Sequence, residues 1–411
     1  MIPRKPKSAN SPVKSKPKAA RTDGESARLT SESSSESEKV KDDFEAMSTT
    51  PSTRGYRMPA EWEPHESTWL AWPHFRGDWP GKFEPIPWVY AEIIRNLTRH
   101  EFVDLIVNDA TAESRAKRVL DRASALNEHV RFHRWQTNRV WTRDSGCTFV
   151  VRDRNAGPPR TRAGAPAPHD RIGVKWKFTA WAKYPNYSLD EKIGSKMAKA
   201  SRAEEVRAMF NSERVVLEGG SIDVNGRGTL ITTEECILST TQQRNPKMQR
   251  ADYENVFGDY LGVQKVIWLG NGIVGDDTHG HVDDITRFVA ADTIVTMVER
   301  NPNDANHAML AENLRRLRAA TDQNGRIFKI VELQMPGPVH FEGRRLPASY
   351  GNFYIANGCV LVPVFNDPND RLALNMLAEL FPSREIIPIY SGDLIWGFGA
   401  MHCMTQQLPN Y

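Results

Sequence analysis

The chain has 411 residues, 39% hydrophobic and 26% charged, with 54 basic against 51 acidic side chains. A formal charge of +3 gives no overall field pointing to nucleic acid or a membrane surface. Eleven tryptophans and sixteen phenylalanines exclude a chain too poor in apolar groups to build a core.

Residues 1 to about 52 are rich in Lys, Arg, Ser, Pro and Glu, as in "RKPKSANSPVKSKPKAAR" and "SESSSESEK". Such a segment buries too little apolar surface to offset its ordering entropy, so a disordered tail is expected. Its basic part reads as a solvated tail before it reads as a targeting tract. Met47 is an alternative translation start, and no signal-peptide apolar segment is visible. From Arg57 onward the composition is that of one globular domain, taken here as 53–411.

Along that domain, apolar residues recur at helical spacing in "PWVYAEIIRNLTRH", "TAESRAKRVLDRASAL", "NHAMLAENLRRLRAA" and "RLALNMLAELFP". Between them lie strand pairs in "RDSGCTFVVRD", "EGGSIDVNGRGTLITTEECIL", "GHVDDITRFVAADTIVTMVE" and "YGNFYIANGCVLVPVF", two of them with an NG hairpin turn. "RDRNAGPPRTRAGAPAPHDR" reads as a surface loop. Strand pairs alternating with helices predict α/β modules around a centre, a propeller-like fold. A doubly wound sheet is the competing reading, without a GxGxxG or P-loop to support it.

Four cysteines, none in a CxxC, fit free thiols in a reducing compartment, here the cytoplasm. No apolar run approaches the roughly 20 residues of a membrane span. Cys147, Cys236 and Cys359 fall in or beside apolar strand patterns and read as core. Cys403 follows the Gly-containing "GFGAM" turn, as Asp144 in "WTRDSG" and Glu218 in "LEGGSI" stand beside glycines before strands. A thiol is a nucleophile only as thiolate, which needs a cation or a histidine nearby. On a strand, the adjacent His402 would point away from it.

If "HGHVDD" is extended, His279, His281 and Asp283 share one face, where a histidine and a carboxylate could act on one substrate. The HxH pair also resembles a zinc pair, but no second ligand cluster accompanies it. A satisfied polar strand end is the bland alternative. One thiol, one histidine and several carboxylates, with no complete metal set and no nucleotide loop, suit a cationic substrate. A guanidinium is planar, permanently charged and well matched to carboxylates.

"MPAEWEPHESTWLAWP", "WTRDSG", "LEGGSIDVNGRGTLITTEECIL", "DDTHGHVDDITRF", "YGNFYIANG" and "HCMTQQ", in that order from about residue 55, resemble the agmatine deiminase/bacterial peptidylarginine deiminase family. The resemblance implies a five-bladed α/β propeller (pentein) and hydrolysis of a guanidine to a ureido group with release of ammonia, without metal or organic cofactor. It implies Cys403 as nucleophile, His281 as general acid/base and Asp144 and Asp283 as grips on the guanidinium. Glu218 would orient the histidine, and Trp141 and Trp69 would wall the substrate channel. Agmatine, converted to N-carbamoylputrescine on the way to putrescine, is the expected substrate. Free or peptidyl arginine is the alternative, followed by amidino transfer or ligand binding without turnover. Neither nucleic acid nor membrane is required, and the sequence does not decide between monomer and homo-oligomer. The sequence departs from the family pattern at Gly397-Phe398-Gly399-Ala400, His279, Cys147 and Thr179-Ala180-Trp181.

Overall fold

A short helical turn, a β-hairpin, a helix and a strand parallel to the second hairpin strand form the recurring unit of this protein. A computed structural model describes residues 50–152 and 170–411. Most of the sequence-expected tail (residues 1–49) and most of the expected surface loop (153–169) lie outside the described residues. Described structure begins before the expected boundary at 52: Thr50 is buried, and Ser52–Arg54 forms a 3₁₀ turn.

Five small sheets of three or four strands carry the architecture, with two additional two-stranded hairpins. In one sheet Thr286–Ala290 pairs antiparallel with Thr293–Val298, which pairs parallel with Lys329–Gln334. Asp223–Val224, Thr229–Thr233 and Lys265–Leu269 repeat that pattern, as do Tyr354–Ile355, Cys359–Val364 and Glu385–Tyr390. The two expected NG turns close the hairpins of these last two sheets. A parallel pair needs a crossover, and helices supply it: Arg250–Leu261, His307–Ala319 and Asp370–Leu380. The remaining expected helices are Ile86–Leu97 and Ala110–Arg122. The latter starts where the Asp109 carboxylate accepts a hydrogen bond from Ala112 N at 2.8 Å, satisfying one free first-turn donor.

The sheet containing His65–Ala71 is completed from the far end of the chain. Gln406–Pro409 pairs antiparallel with it, with Trp69 opposite Gln406. In each of these five sheets one strand follows a short helical turn. These turns are Thr142–Ser145, Gly219–Ser221, Val282–Asp284, Tyr350–Asn352 and Met401–Met404. Each packs against the next, and the last packs against the first. Among the described residues no helix is long and apolar enough to cross a membrane.

Behind the turns sits Glu61, 5% exposed. It pairs with Arg287 Nη2 at 2.9 Å, Arg143 Nη2 at 3.2 Å and His402 Nε2 at 2.8 Å, and accepts from Ile355 N at 2.8 Å. Burial disfavours its charge, but Arg287, His402 and Arg143 outweigh that and hold its pKa well below the usual carboxylate value. Glu61→Gln would leave two buried guanidiniums short of a counter-charge. We expect a loss of about 3–5 kcal/mol in denaturant unfolding. Because the folded pKa is depressed, Glu61's contribution is present above the unfolded carboxylate range and falls away as pH drops through and below it. The deficit of the variant should therefore shrink in acid.

Candidate active site

The five turns deliver side chains to one buried place. Asp144 lies in the first turn, Glu218 precedes the second, His281 precedes and Asp283 lies within the third, Asn352 ends the fourth, and Cys403 lies in the fifth. A Cβ built on Gly220 would fall 2.5 Å from His281 Nδ1, 2.9 Å from Asp283 Oδ2 and 3.1 Å from Asp144 Oδ1. Glycine is therefore required at the point where these three groups converge. Cys403 Sγ lies 3.7 Å from Asp283 Oδ2. His281 Nε2 is 3.7 Å from Glu218 Oε2, and its Nδ1 is 4.0 Å from Asp144 Oδ1.

Two local expectations change. "HGHVDD" is not extended: His279 has φ +66° and Val282–Asp284 is a 3₁₀ turn. The convergence of His281 and Asp283 comes from that turn, not from strand alternation. His279 instead contacts Ser239 at 3.1 Å. Cys403 is on a helical turn rather than a strand, so His402 does not point away from the site. It stands behind it, with Nδ1 2.7 Å from Asp283 Oδ2 and Nε2 on Glu61.

A cleft of about 190 Å³ reaches Asp144 and Cys403, and Trp141, Trp181, Trp396 and Phe398 line it. Trp141 thus stands where the sequence places a channel wall. Trp69 does not: it is 1% exposed, packed on His133 and Trp135 in the core. Its strand position opposite Gln406 turns the ring away from the cleft. Phe398 holds φ +65°, a left-handed conformation costing a non-glycine residue about 1 kcal/mol, and its ring lies 5.9 Å from that of Trp396.

Buried carboxyls dominate the electrostatics of this place. Burial pushes the Asp144 carboxyl up, opposed by His281 and reinforced by Asp283 and Glu218. Asp284 is held well above the carboxylate range by burial and by Asp283. Asp283 and Glu218 stay ionised despite burial, the first through His402 and the second through Arg244 and His281. Burial works against charge on His281, but Asp144, Cys236 and Glu218 outweigh it and raise its pKa. The Cys403 thiol is pushed well above its ordinary value by burial and then by Asp283, Asp284 and Asp144. One oxygen of Asp283 and both nitrogens of His281 make no hydrogen bond among the described residues.

Residues that the sequence reading left without a role complete the frame. Asn352 Nδ2 donates to Cys403 Sγ at 3.1 Å and to Asp284 Oδ1 at 3.0 Å, while its Oδ1 accepts from His402 N and Cys403 N. Trp181 Nε1 donates to Asp144 Oδ2 at 2.8 Å. Arg244 Nε faces both Glu218 oxygens at 3.2 and 3.3 Å. Cys236, read as core, is buried but lies in the group that contains Glu218 and His281. All except Cys236 carry polar side chains whose burial no periodicity reveals.

The family model for Porphyromonas-type peptidyl-arginine deiminases matches residues 57–409. The chain belongs to that family. An agmatine deiminase of Pseudomonas syringae pv. syringae (strain B728a) is 35% identical over 386 residues, covering 88% of this chain and 98% of the relative. Among solved structures, the agmatine deiminase of Enterococcus faecalis superposes with a TM-score of 0.77 at 29% identity, covering 88% of this chain and 98% of its own. A substrate-bound agmatine deiminase of C. jejuni gives 0.73 at 26%, covering 86% and 96%.

Two tests follow from the site. Alkylation of Cys403 by iodoacetamide should be slow at pH 7 in the ligand-free protein and climb as pH passes 9, because the raised pKa keeps the thiol protonated. Asn352→Ala removes a donor that favours the thiolate and should move that profile to higher pH. A profile already flat by pH 7 would contradict the burial argument. Gly220→Ala should leave the melting transition within a few degrees while lowering turnover of the best guanidine substrate by about 10²-fold or more.

Proposed function

We propose that the protein is a cysteine-dependent agmatine deiminase, hydrolysing agmatine to N-carbamoylputrescine and ammonia. The observation that carries this reading is the buried Cys403 thiol beside the ionised Asp283, whose second oxygen has no partner, at the end of an aromatic cleft. A guanidinium would supply the missing positive charge and N–H donors, and its flat faces suit Trp141 and Trp181.

In this reading the substrate activates its own nucleophile. Its cation offsets Asp144 and Asp283, lowering the cost of a Cys403 thiolate, and the thiol proton leaves to water. The thiolate attacks the guanidinium carbon, giving a tetrahedral adduct gripped by the two aspartates. His281, protonated in the resting site, gives its proton to the departing nitrogen. Ammonia leaves, and a thiouronium remains on sulfur. The neutral imidazole then deprotonates water, which attacks the same carbon. Collapse releases the ureido product, restores Cys403 and leaves His281 protonated. Glu218, fixed by Arg244, stabilises the imidazolium. Residues from about 53 to 411 constitute the catalytic domain. Its five sheets are the blades of a closed propeller, supported by the ring of contacts among the five turns. Four free thiols support the cytoplasm as its compartment.

Agmatine carries a second cation, and the cleft offers it Asp78, whose Oδ2 makes no hydrogen bond among the described residues. Asp78 is only partly neutralised by Arg139 at 3.2 Å. Burial pushes its carboxyl up to about 7, and a bound ammonium would draw it back down. Free or peptidyl arginine is the second reading, favoured by Arg344, which lines the same cleft, is exposed and forms no ion pair among the described residues. Ammonia and ureido product should be measured with agmatine, arginine and an arginine peptide. We expect agmatine to be preferred and Cys403→Ala to lose at least about 10³-fold in turnover. Asp78→Asn should raise KM for agmatine by about 10-fold with little effect on arginine. Arginine turning over faster than agmatine would favour the second reading, and undiminished turnover by Cys403→Ala would sink the mechanism.

A further inference from the structure

Cys236 has no part in the chemistry above, yet it lies beside the residues that perform it. It sits in the first turn of the helix Glu234–Leu238, and Thr233 caps that helix by accepting from Cys236 N at 3.1 Å. The same threonine hydroxyl donates to Gly280 O at 2.5 Å, directly before His281. One side chain therefore ties the thiol-bearing turn to the histidine-bearing turn. Glu218, Cys236 and His281 each offer one ligand atom, and the three atoms lie within 4.8 Å of one another. All three residues are at most 1% exposed.

We propose that Glu218, Cys236 and His281 form a binding site for a divalent transition cation of the zinc class, and that its occupancy shuts the deiminase down. Thiolate, imidazole and carboxylate together select a borderline-soft ion over magnesium or calcium, which take oxygen ligands. Bonds of about 2.0–2.3 Å in tetrahedral geometry set ligand atoms roughly 3.3–3.8 Å apart. His281 Nε2 and Glu218 Oε2 already stand at 3.7 Å. The imidazole is fully buried and neither nitrogen makes a hydrogen bond among the described residues, so a metal bond would displace only the imidazole proton.

Arg244 is the cation that opposes the ion, at 3.2 and 3.3 Å from the Glu218 oxygens. Against it stand Glu218 itself, Asp144 4.0 Å from His281, and the thiolate that coordination would create. Arg244 is also held by the carbonyls of Gln242 and Thr278, so it stays beside Glu218 and leaves the outer lone pairs of the carboxylate to the metal. Binding releases the thiol proton and any imidazole proton to solvent. An ion there takes the imidazole lone pair that the reaction needs and the carboxylate that steadies it. That inhibitory consequence rests on the proposed role of His281, whereas the binding itself does not.

The test uses the full chain with cobalt as an optical probe and zinc as inhibitor. Cobalt should give a thiolate-to-metal charge-transfer band that persists in Cys403→Ala and is lost in Cys236→Ser. Zinc should suppress agmatine turnover reversibly, a chelator should restore it, and Cys236→Ser should raise the half-inhibiting zinc concentration by at least about 10-fold. If Cys236→Ser does not fold, His281→Gln in the Cys403→Ala background must weaken the cobalt band. The proposal is overturned if the band is absent, if it survives Cys236→Ser, or if it disappears in Cys403→Ala, which would put the ion on the nucleophile. A band that behaves as expected in a protein that turns over no guanidine would keep the metal site and reject the deiminase reading.

Discussion

Glu61 is the constraint on which the rest of the site depends. A carboxylate buried this deeply is tolerable only when its charge is matched and its lone pairs are used. Here the partners come from far apart in the chain: Arg143, Arg287, Ile355 N and His402. His402 passes the constraint on, because its other nitrogen holds Asp283 at 2.7 Å. The orientation of the carboxylate beside the Cys403 thiol is thereby fixed by a residue more than two hundred positions away. Packing alone would leave that orientation to a rotamer preference worth little more than thermal energy.

The arrangement also explains how so many acids coexist. Asp144, Glu218, Asp283 and Asp284 are all buried around one place, where water screens them little. The fold divides them by partner rather than by distance. Glu218 and Asp283 are kept ionised by a guanidinium and an imidazole. Asp144 and Asp284 are pushed toward their neutral forms by burial, with neighbouring carboxylates adding to it and His281 opposing it. The outcome is one oriented anion beside the sulfur and one beside His281. Polar preorganisation of this kind is assembled during folding, so the chemical step need not reorganise it.

Much of this was legible in the sequence, and the reasons differ by residue. Acid–glycine pairs before strands gave Asp144 and Glu218, because a bend that must pass close to other backbones demands glycine. Gly220, with three site atoms around it, shows why. Four helices were readable from their apolar spacing and two hairpins from their NG turns, whereas Ile193–Ala200 and Arg250–Leu261 were not foreseen. Strand alternation misled at "HGHVDD", where His279 takes a left-handed conformation and the chain turns rather than extends. It misled again at His402 for the same reason. Trp69 has the composition of a channel wall but is directed into the core by its register with Gln406. Glu61, Asn352, Arg244 and Cys236 could not be seen at all. Their roles depend on neighbours distant in sequence, and a single buried polar residue leaves no periodic trace.

The pairing of Gln406–Pro409 with His65–Ala71 has a consequence for synthesis. The ribosome delivers Asp144, Glu218, His281 and Asp283 long before it delivers Cys403, and the strand that seats the sulfur comes later still. The acids that line this buried place therefore precede the Cys403 thiol in synthesis. The first sheet of the growing chain also exposes an unpaired edge, a form that invites association with other chains. The sulfur and the outermost strand of that sheet arrive together, at Cys403 and Gln406–Pro409. A chain that stops before them lacks both the Cys403 thiol and the strand that pairs with His65–Ala71.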